Sequence, residues 1–279
     1  MARRNPVADG LFSPQVHRPG FSLAWKLVLT GVAAGIVGGG LGVGGGIVMV
    51  PLLLLAGFDR HRAHGTSLAA IVLIAAAGAT SFGVDGELVL GLGLTIGLGG
   101  IVGSSLGAAA MHRMSPRALS IIFGLVLLIA AARMIGGGDP LPGSAEIGGL
   151  AQTAIVLGIG LLAGLFAGVA GVGGGIVIVP STVLFLGLTQ HEAQGTSLLA
   201  IVLTALAGTV VNRRNQRVRL GDGLVVGIGG VVGSVIGSRI ALGVEGESLS
   251  LVFGLFVLLV GIRTLYRAWR SPQTVSSST

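Results

Sequence analysis

Two glycine-rich turns are the parts of this chain best suited to chemistry. Gly42 to Pro51 reads GVGGGIVMVP, and Gly171 to Pro180 reads GVGGGIVIVP. In each copy a run of glycines, which adopt positive φ at little cost, comes directly before a short apolar helix. The first N–H groups of such a helix have no partner within it and lie at the positive end of its dipole. The pattern therefore predicts a small anion cradle without a positively charged side chain.

Hydroxyl side chains follow each turn at matching positions. The sequence Gly-Thr-Ser-Leu begins at Gly65 and again at Gly195. A Thr/Ser pair at the start of a helix could cap backbone N–H groups, and the same hydroxyls could donate to an oxyanion; the two roles can coexist. With the turns interpreted as a binding site rather than as tight helix crossings, the predicted substrate-binding residues are Gly44, Gly45, Gly46, Thr66, Ser67, Gly173, Gly174, Gly175, Thr196 and Ser197.

The composition indicates which kind of element must hold these residues. The chain has 279 residues, of which 52% are apolar and only 10% are charged, and its mean hydropathy is +0.94. An ordinary soluble domain is roughly 25% charged, so a soluble globular enzyme is excluded. The apolar runs are continuous, unlike the short alternating segments of a membrane β-barrel. The predicted fold class is therefore an all-α polytopic membrane protein, with the lipid bilayer around it.

Other functional classes lack the residues that they need. The chain contains no cysteine, which excludes disulfides, thiolate metal sites and cysteine nucleophiles. Its one lysine, Lys26, follows no glycine-rich loop, and no His-Glu-x-x-His motif occurs. The net charge of +7 comes from short basic clusters between apolar runs, which is a pattern of membrane topology rather than of nucleic-acid binding. We expect no enzyme activity, no cofactor, no metal and no nucleic-acid partner.

The chain consists of two copies of one unit, since both the glycine-rich block and the Gly-Thr-Ser-Leu block occur twice in the same order. A stretch rich in glycine and proline, GGGDPLPGSAEIGG, separates the copies and indicates a linker. The predicted boundaries are a cytoplasmic tail at 1–20, a first transmembrane repeat at 21–135, the linker at 136–149, a second transmembrane repeat at 150–267 and a second cytoplasmic tail at 268–279.

Each copy contains five apolar segments, of which the second is short. The short segments cover about 46–57 and 175–188, whereas a helix needs about 20 residues to cross a bilayer. Pro51 and Pro180 are expected to break or kink these short helices, and a break is the simpler interpretation. The fold then has eight to ten membrane segments, depending on whether the glycine-rich helices are re-entrant or cross the bilayer. Gly-x-x-x-Gly spacing predicts packing faces on the longer segments, at Gly31, Gly35 and Gly39, at Gly99, Gly103 and Gly107, at Gly160, Gly164 and Gly168, and at Gly229, Gly233 and Gly237.

The distribution of basic residues predicts the orientation of the chain. Of the 17 Lys and Arg residues, all except Arg133 and Arg239 fall on one side of the membrane, which is expected to be cytoplasmic together with both termini. An odd number of crossings per copy makes the two copies an inverted-topology repeat, as in many transporters. No Asp or Glu lies well inside an apolar segment, so no carboxylate proton relay is expected.

With its duplicated GVGGGI and GTSL blocks, the chain resembles the sulfite exporter TauE/SafE family, also called the TSUP permeases. The resemblance covers nearly the whole chain outside its two tails. It implies a carrier in the inner membrane of a prokaryote that moves small anions such as sulfite or an organosulfonate. It also implies seven or eight crossings, which favours the re-entrant arrangement.

The function predicted is secondary transport of a small oxyanion, sulfite or an organosulfonate above all, by alternating access between the two halves. A small-anion channel or a membrane assembly component without transport activity are the alternatives. The expected partners are the small oxyanion or organosulfonate and the lipid bilayer, and a homo-oligomer is left open.

Overall fold

The computed structural model of the protein describes residues 21–110, 116–136, 149–170, 174–214 and 219–270. These ranges hold ten helices and no strand, which confirms the all-α prediction. The predicted tail at 1–20, the part of the predicted tail 268–279 that follows Arg270, most of the linker and Gly173 lie outside the described residues. The helices are α1 (Phe21–Leu41), α2 (Gly46–Leu55), α3 (Arg60–Val84), α4 (Leu90–Ala110), α5 (Pro116–Ile135), α6 (Gly149–Ala170), α7 (Gly175–Leu186), α8 (Gln190–Arg214), α9 (Leu220–Leu242) and α10 (Gly246–Arg270).

Six of these helices, α1, α3, α6, α8, α9 and α10, are long and apolar enough to cross a membrane. α4 and α5 have 21 and 20 residues, whereas α2 and α7 have only 10 and 12 residues. At 1.5 Å per residue, α2 and α7 extend about 15 to 18 Å, roughly half of a bilayer core. The chain is therefore a multi-pass membrane protein in which two helices are too short to cross.

The first helix of each repeat packs against the fourth helix of the other repeat: α1 lies on α9, and α6 lies on α4. Glycines allow this close approach. A methyl group at Gly35 would overlap the backbone carbonyl of Gly230, and one at Gly233 would overlap that of Val32. The predicted packing faces are thus confirmed where the structure describes them, and they meet each other across the two repeats.

Contacts along the helices give their relative directions. α1 and α9 run in the same direction, because Gly31 lies against Val226 while Gly39 lies against Ser234. α4 and α6 are parallel in the same way. At the centre α3 and α8 are antiparallel. α9 packs on α3 and runs parallel to it, and α4 packs on α8 and runs parallel to it. Hence α1, α3 and α9 run one way, and α4, α6 and α8 run the other way.

The prediction that Pro51 and Pro180 break their helices is wrong. α2 continues to Leu55 and α7 to Leu186, with the proline inside the helix in each case. Each proline follows the first residue of its helix by about one and a half turns, so that it removes only one early hydrogen bond of the helix. The glycine-rich turns, and not the prolines, interrupt the chain.

The two short helices differ in their packing. α7 is buried from Gly175 to Pro180 and packs against α5, α6 and α8. An apolar cavity of about 170 Å³ lies between α5 and α7. On α2 only Gly46, Met49 and Leu53 are buried, and no comparable packing of α10 on α2 occurs within the described ranges. The repeats therefore share a sequence pattern but not an identical arrangement.

Candidate anion site

The first glycine-rich turn lies against the start of α7 in the interior of the molecule. A methyl group at Gly175, the first residue of α7, would come within 2.7 Å of both the carbonyl oxygen of Gly42 and the Cα of Val43. In the first turn, Gly44 is flanked by Ile71 of α3 and Ile201 of α8. Both isoleucines lie about 16 Å from the first residues of their helices, close to halfway along them. The first turn and the start of α7 therefore meet at mid-height between α3 and α8.

The turns require glycine for conformational reasons. Gly42, Gly44, Gly45 and Gly174 have φ values of 70°, 73°, 80° and 78°, in the left-handed region that side chains disfavour. Gly45 and Gly174 are the N-cap residues of α2 and α7, and no side chain caps either helix. The N–H of Gly44 donates to the carbonyl oxygen of Gly38 at 3.2 Å, and those of Val48 and Val177 donate to the carbonyl oxygens of Gly45 and Gly174. Only the N–H groups at the very start of α2 and α7 could therefore serve a ligand.

The four predicted hydroxyl residues are all fully buried, but their hydrogen bonding differs. Ser197 Oγ donates to the carbonyl oxygen of Gly42 at 2.8 Å, which ties α8 to the first turn. Thr196 Oγ1 accepts from the N–H of Val89 at 3.1 Å. The hydroxyls of Thr66 and Ser67 have no hydrogen-bond partner among the described residues. A buried hydroxyl without a partner costs free energy, so these two are candidates for ligand contacts.

The alternative in which these hydroxyls cap a helix is wrong. α3 begins at Arg60, and its N-cap is Asp59, whose carboxylate accepts from the N–H of Arg62 at 3.0 Å. α8 begins with a capping box, in which Thr189 and Glu192 each accept from the other's backbone N–H. The Gly-Thr-Ser-Leu blocks therefore lie in the second turns of their helices, away from the orphan N–H groups.

The structure adds Gln194, which the sequence analysis did not place in the site. Its side chain is fully buried, and neither the nitrogen nor the oxygen of its amide has a partner among the described residues. A methyl group at Gly42 would come within 2.9 Å of Gln194 Cγ, so the side chain lies directly on the first turn. The signal was a polar residue directly before the Gly-Thr-Ser-Leu block, which is His64 in the first copy.

The nearest neighbours of the described turn glycines carry no charge. Among described residues, the neighbours of the turn glycines are Gln194, aliphatic side chains and backbone. No group of three or more His, Asp or Glu that could hold a metal occurs in the described ranges. The arrangement offers backbone N–H groups, hydroxyls and an amide as hydrogen-bond donors. Such donors can bind an anion without any charged side chain.

One carboxylate is more deeply buried than its place in the sequence indicates. Asp222, in the first turn of α9, is only 1% exposed. It is the third residue of the helix and thus lies at the end of the apolar segment, not well inside it.

Comparisons with known proteins agree with the helical architecture. The family described as "Sulfite exporter TauE/SafE" matches residues 2–136 and 156–279. A "Probable membrane transporter protein" of Xylella fastidiosa (strain Temecula1 / ATCC 700964) is 29% identical over 258 residues, which cover 88% of this chain and 97% of that protein. The "Probable membrane transporter protein YunE" of Bacillus subtilis (strain 168) is 37% identical over 125 residues, which cover 42% of this chain and 46% of that protein.

No solved structure matches the chain. The family match, in contrast, covers both repeats and includes both glycine-rich turns and both Gly-Thr-Ser-Leu blocks. The chain therefore belongs to the sulfite exporter TauE/SafE family, and it is a multi-pass membrane transporter rather than an enzyme.

Proposed function

We propose that this transporter is a secondary carrier of a small oxyanion, with sulfite or an organosulfonate as its substrate class. The observation that carries this proposal is the buried, unpartnered amide of Gln194, which lies against the first turn at Gly42. The amide nitrogen offers two donors to an oxyanion. The amide oxygen can also accept from a partly protonated oxyanion.

The substrate would bind between the N-termini of α2 and α7. The predicted ligands are Gly44, Gly45 and Gly46 of one turn and Gly173, Gly174 and Gly175 of the other, together with the Thr and Ser hydroxyls. Helix N-termini stabilise an anion without a cationic side chain, because their N–H groups and dipoles point towards it. Broken helices that present such ends at mid-membrane are a recurrent feature of transporters.

Alternating access would arise from movement of the two repeats against each other. The helix directions support an inverted-topology arrangement, since α1, α3 and α4 run opposite to their sequence counterparts α6, α8 and α9. The unequal packing of α2 and α7 supports a carrier that has more than one arrangement of its repeats. We place this carrier in the inner membrane of a prokaryote, with both termini in the cytoplasm.

Exchange in proteoliposomes tests the proposal. Liposomes preloaded with unlabelled sulfite should accumulate radiolabelled sulfite transiently, and the rate should saturate with concentration. Gln194→Met retains the size of the side chain and removes its hydrogen bonds. Since a hydrogen bond to a charged group contributes about 1.5 to 3 kcal/mol, we expect sulfite affinity to fall by about tenfold or more.

Gln152→Met, a half-buried position in α6, is the matched control and should leave exchange unchanged. A panel of organosulfonates in the same assay separates the two substrate classes by competition. Single-channel currents without counterflow would replace the carrier with a channel. The absence of any sulfite or sulfonate flux from a folded, reconstituted protein would overturn the proposal.

A further inference from the structure

An apolar cavity beside the start of α7 has no part in the anion site described above. It has a volume of about 170 Å³ and lies between α5 and α7. Of the described residues that line it, only Ser181 is polar. Ile176 and Val177, the second and third residues of α7, line its inner end and are 1% and 5% exposed, whereas Phe185 near the end of α7 is 43% exposed. The cavity therefore extends from the buried start of α7 towards the surface of the protein.

Ile176 belongs both to this cavity and to the candidate anion site. The N–H groups of Val177 and Ile178 both donate to the carbonyl oxygen of Gly174. The N–H groups that can serve a ligand at this helix end are therefore those of the two residues before them, Gly175 and Ile176. The side chain of Ile176 lines the cavity. A single residue thus offers a backbone donor on one side and apolar surface on the other, so the two sites adjoin.

A buried amide adds donors near the start of α7. A methyl group at Gly175 would come within 2.7 Å of the carbonyl oxygen of Gly42, and one at Gly42 would come within 2.9 Å of Gln194 Cγ. The amide of Gln194 is buried and has no partner among the described residues. Hydrogen-bond donors are thus concentrated at the start of α7, and apolar side chains line the space beyond it. This arrangement suits a ligand with an anionic head and an apolar tail.

The volume of the cavity sets the size of the tail. An apolar cavity of about 150 Å³ in another protein binds benzene, a ring of six carbons. A cavity of about 170 Å³ therefore has room for an alkyl chain of about six carbons. Sulfite contains no carbon and makes no use of this apolar surface, whereas each methylene group that is buried there contributes to affinity.

The first repeat does not reproduce the walls of this cavity. Ile47 occupies in the first GVGGGI block the position that Ile176 has in the second. Ile47 is only half-buried, and no packing of α10 on α2 comparable to that of α5 on α7 occurs within the described ranges. An alkyl tail is therefore expected beside α7, and a ligand should bind in one orientation, with its tail towards α5.

We propose that the cavity between α5 and α7 binds the alkyl tail of an alkanesulfonate whose sulfonate group lies at the start of α7. This inference rests on the proposed function, and it narrows the substrate class to alkanesulfonates of up to about six carbons. The sulfonate oxygens accept from the N–H groups of Gly175 and Ile176 and from the amide of Gln194, while the tail packs between α5 and α7. Head and tail together give such a ligand a higher affinity than sulfite.

Competition with sulfite in proteoliposomes tests the inference. Exchange of radiolabelled sulfite is measured against methane-, propane-, hexane- and octanesulfonate, each below its critical micelle concentration. Up to about six carbons, each added methylene should lower the half-inhibitory concentration about fourfold, which is the gain for moving a methylene from water into an apolar site. Octanesulfonate should gain little over hexanesulfonate, because its last carbons find no room in the cavity.

Variants of the cavity wall distinguish binding in the cavity from partition into the lipid. Ala130→Leu fills part of the cavity from α5, and Ser181→Leu fills part of it from α7. Each should weaken inhibition by hexanesulfonate, relative to inhibition by methanesulfonate, by about tenfold or more. Ala132→Leu, an exposed position on α5, is the matched control and should retain the wild-type ratio. Partition into the bilayer is the same for all of these proteins.

The outcomes separate the inference from the proposed function. Equal inhibition by all chain lengths, as expected when a lipid acyl chain occupies the cavity, overturns the inference and leaves sulfite transport standing. A folded Ala130→Leu or Ser181→Leu protein that retains the wild-type ratio has the same meaning. If Ala130→Leu does not fold, Ser181→Leu and the chain-length series decide. A wild-type protein that exchanges neither sulfite nor any alkanesulfonate overturns the proposed function, and the inference fails with it.

Discussion

The hydroxyl of Ser197 donates a hydrogen bond of 2.8 Å to the carbonyl oxygen of Gly42, a residue 155 positions earlier in the chain. Both groups are buried at the point where the first glycine-rich turn meets the start of α7. The bond joins a helix of the second repeat to the turn of the first. A helix of the second repeat therefore fixes the position of the turn that the first repeat contributes to the candidate site.

The counterpart residues Ser197 and Ser67 should respond differently to the loss of their hydroxyls. Ser197→Ala leaves the buried carbonyl of Gly42 without this partner, so the free energy of unfolding should fall by about 1 to 3 kcal/mol. Ser67→Ala removes a hydroxyl that has no partner among described residues, so it should change stability little and should weaken sulfite transport. Thermal unfolding of the purified variants and exchange assays measure the two effects. Equal loss of stability in both variants would contradict this distinction.

The glycine contacts between α1 and α9 predict a steric effect. Gly35→Ala places a methyl group on the carbonyl of Gly230, and we expect a loss of about 1 to 3 kcal/mol in stability because the backbones must move apart. Gly91→Ala, in α4, is the control, since a methyl group there meets nothing within 4 Å. Thermal unfolding in detergent distinguishes them. If both variants unfold at the same temperature, the close approach of α1 and α9 is not needed for stability.

The orientation of the chain can be tested with single cysteines, because the native sequence contains none. Asp85 directly follows α3, Arg213 lies in the last turn of α8, the counterpart of α3, and both native side chains are exposed. Inverted repeats place the two on opposite sides of the membrane. A thiol reagent that does not cross the membrane should therefore label only Asp85→Cys from outside intact cells. Labelling of both from one side would exclude inverted repeats.

The cap of α3 gives a pH-dependent prediction outside the membrane. The backbone N–H of Arg62 donates to Asp59 and holds the pKa of this carboxyl below its ordinary value of 3.8. Because the folded-state pKa is the lower one, the stabilisation is present above pH 3.8 and is lost as the pH falls through the folded-state pKa. Asp59→Ala should unfold at a lower temperature than the wild type at neutral pH. The difference should shrink in acid, as measured by thermal unfolding over a pH series.

Much of the helical architecture could be predicted from the sequence, for identifiable reasons. Apolar segments, repeated blocks and glycine spacing are local patterns, and helix bounds such as Phe21–Leu41 and Leu220–Leu242 agree closely with them. The starts of α3 and α8 were placed too late, because the apolar pattern begins only at Gly65 and Gly195. The polar first turns before them are stabilised by caps rather than by apolar contacts.

The details of the site depend on tertiary contacts that no local pattern contains. The glycine turns are recognisable, but the contact of Gly175 with Gly42 depends on how the repeats pack. Gln194 was not placed in the site because a single polar residue near a helix end normally lies at the membrane interface. Asp222 was missed for a similar reason, since a charge at the start of an apolar segment is usually solvated. Only their burial in the folded protein distinguishes these two residues from polar residues at the membrane interface.

The exchange of partners between the repeats has a consequence for biosynthesis. The glycine face of α1 packs on α9, which begins at Leu220, so α1 leaves the ribosome long before its partner exists. At about 5 to 20 residues per second, the delay is on the order of 10 to 40 s. During this time the nascent helix must rest against lipid or an insertion chaperone. Neither repeat can complete its own packing, and assembly waits for the end of translation.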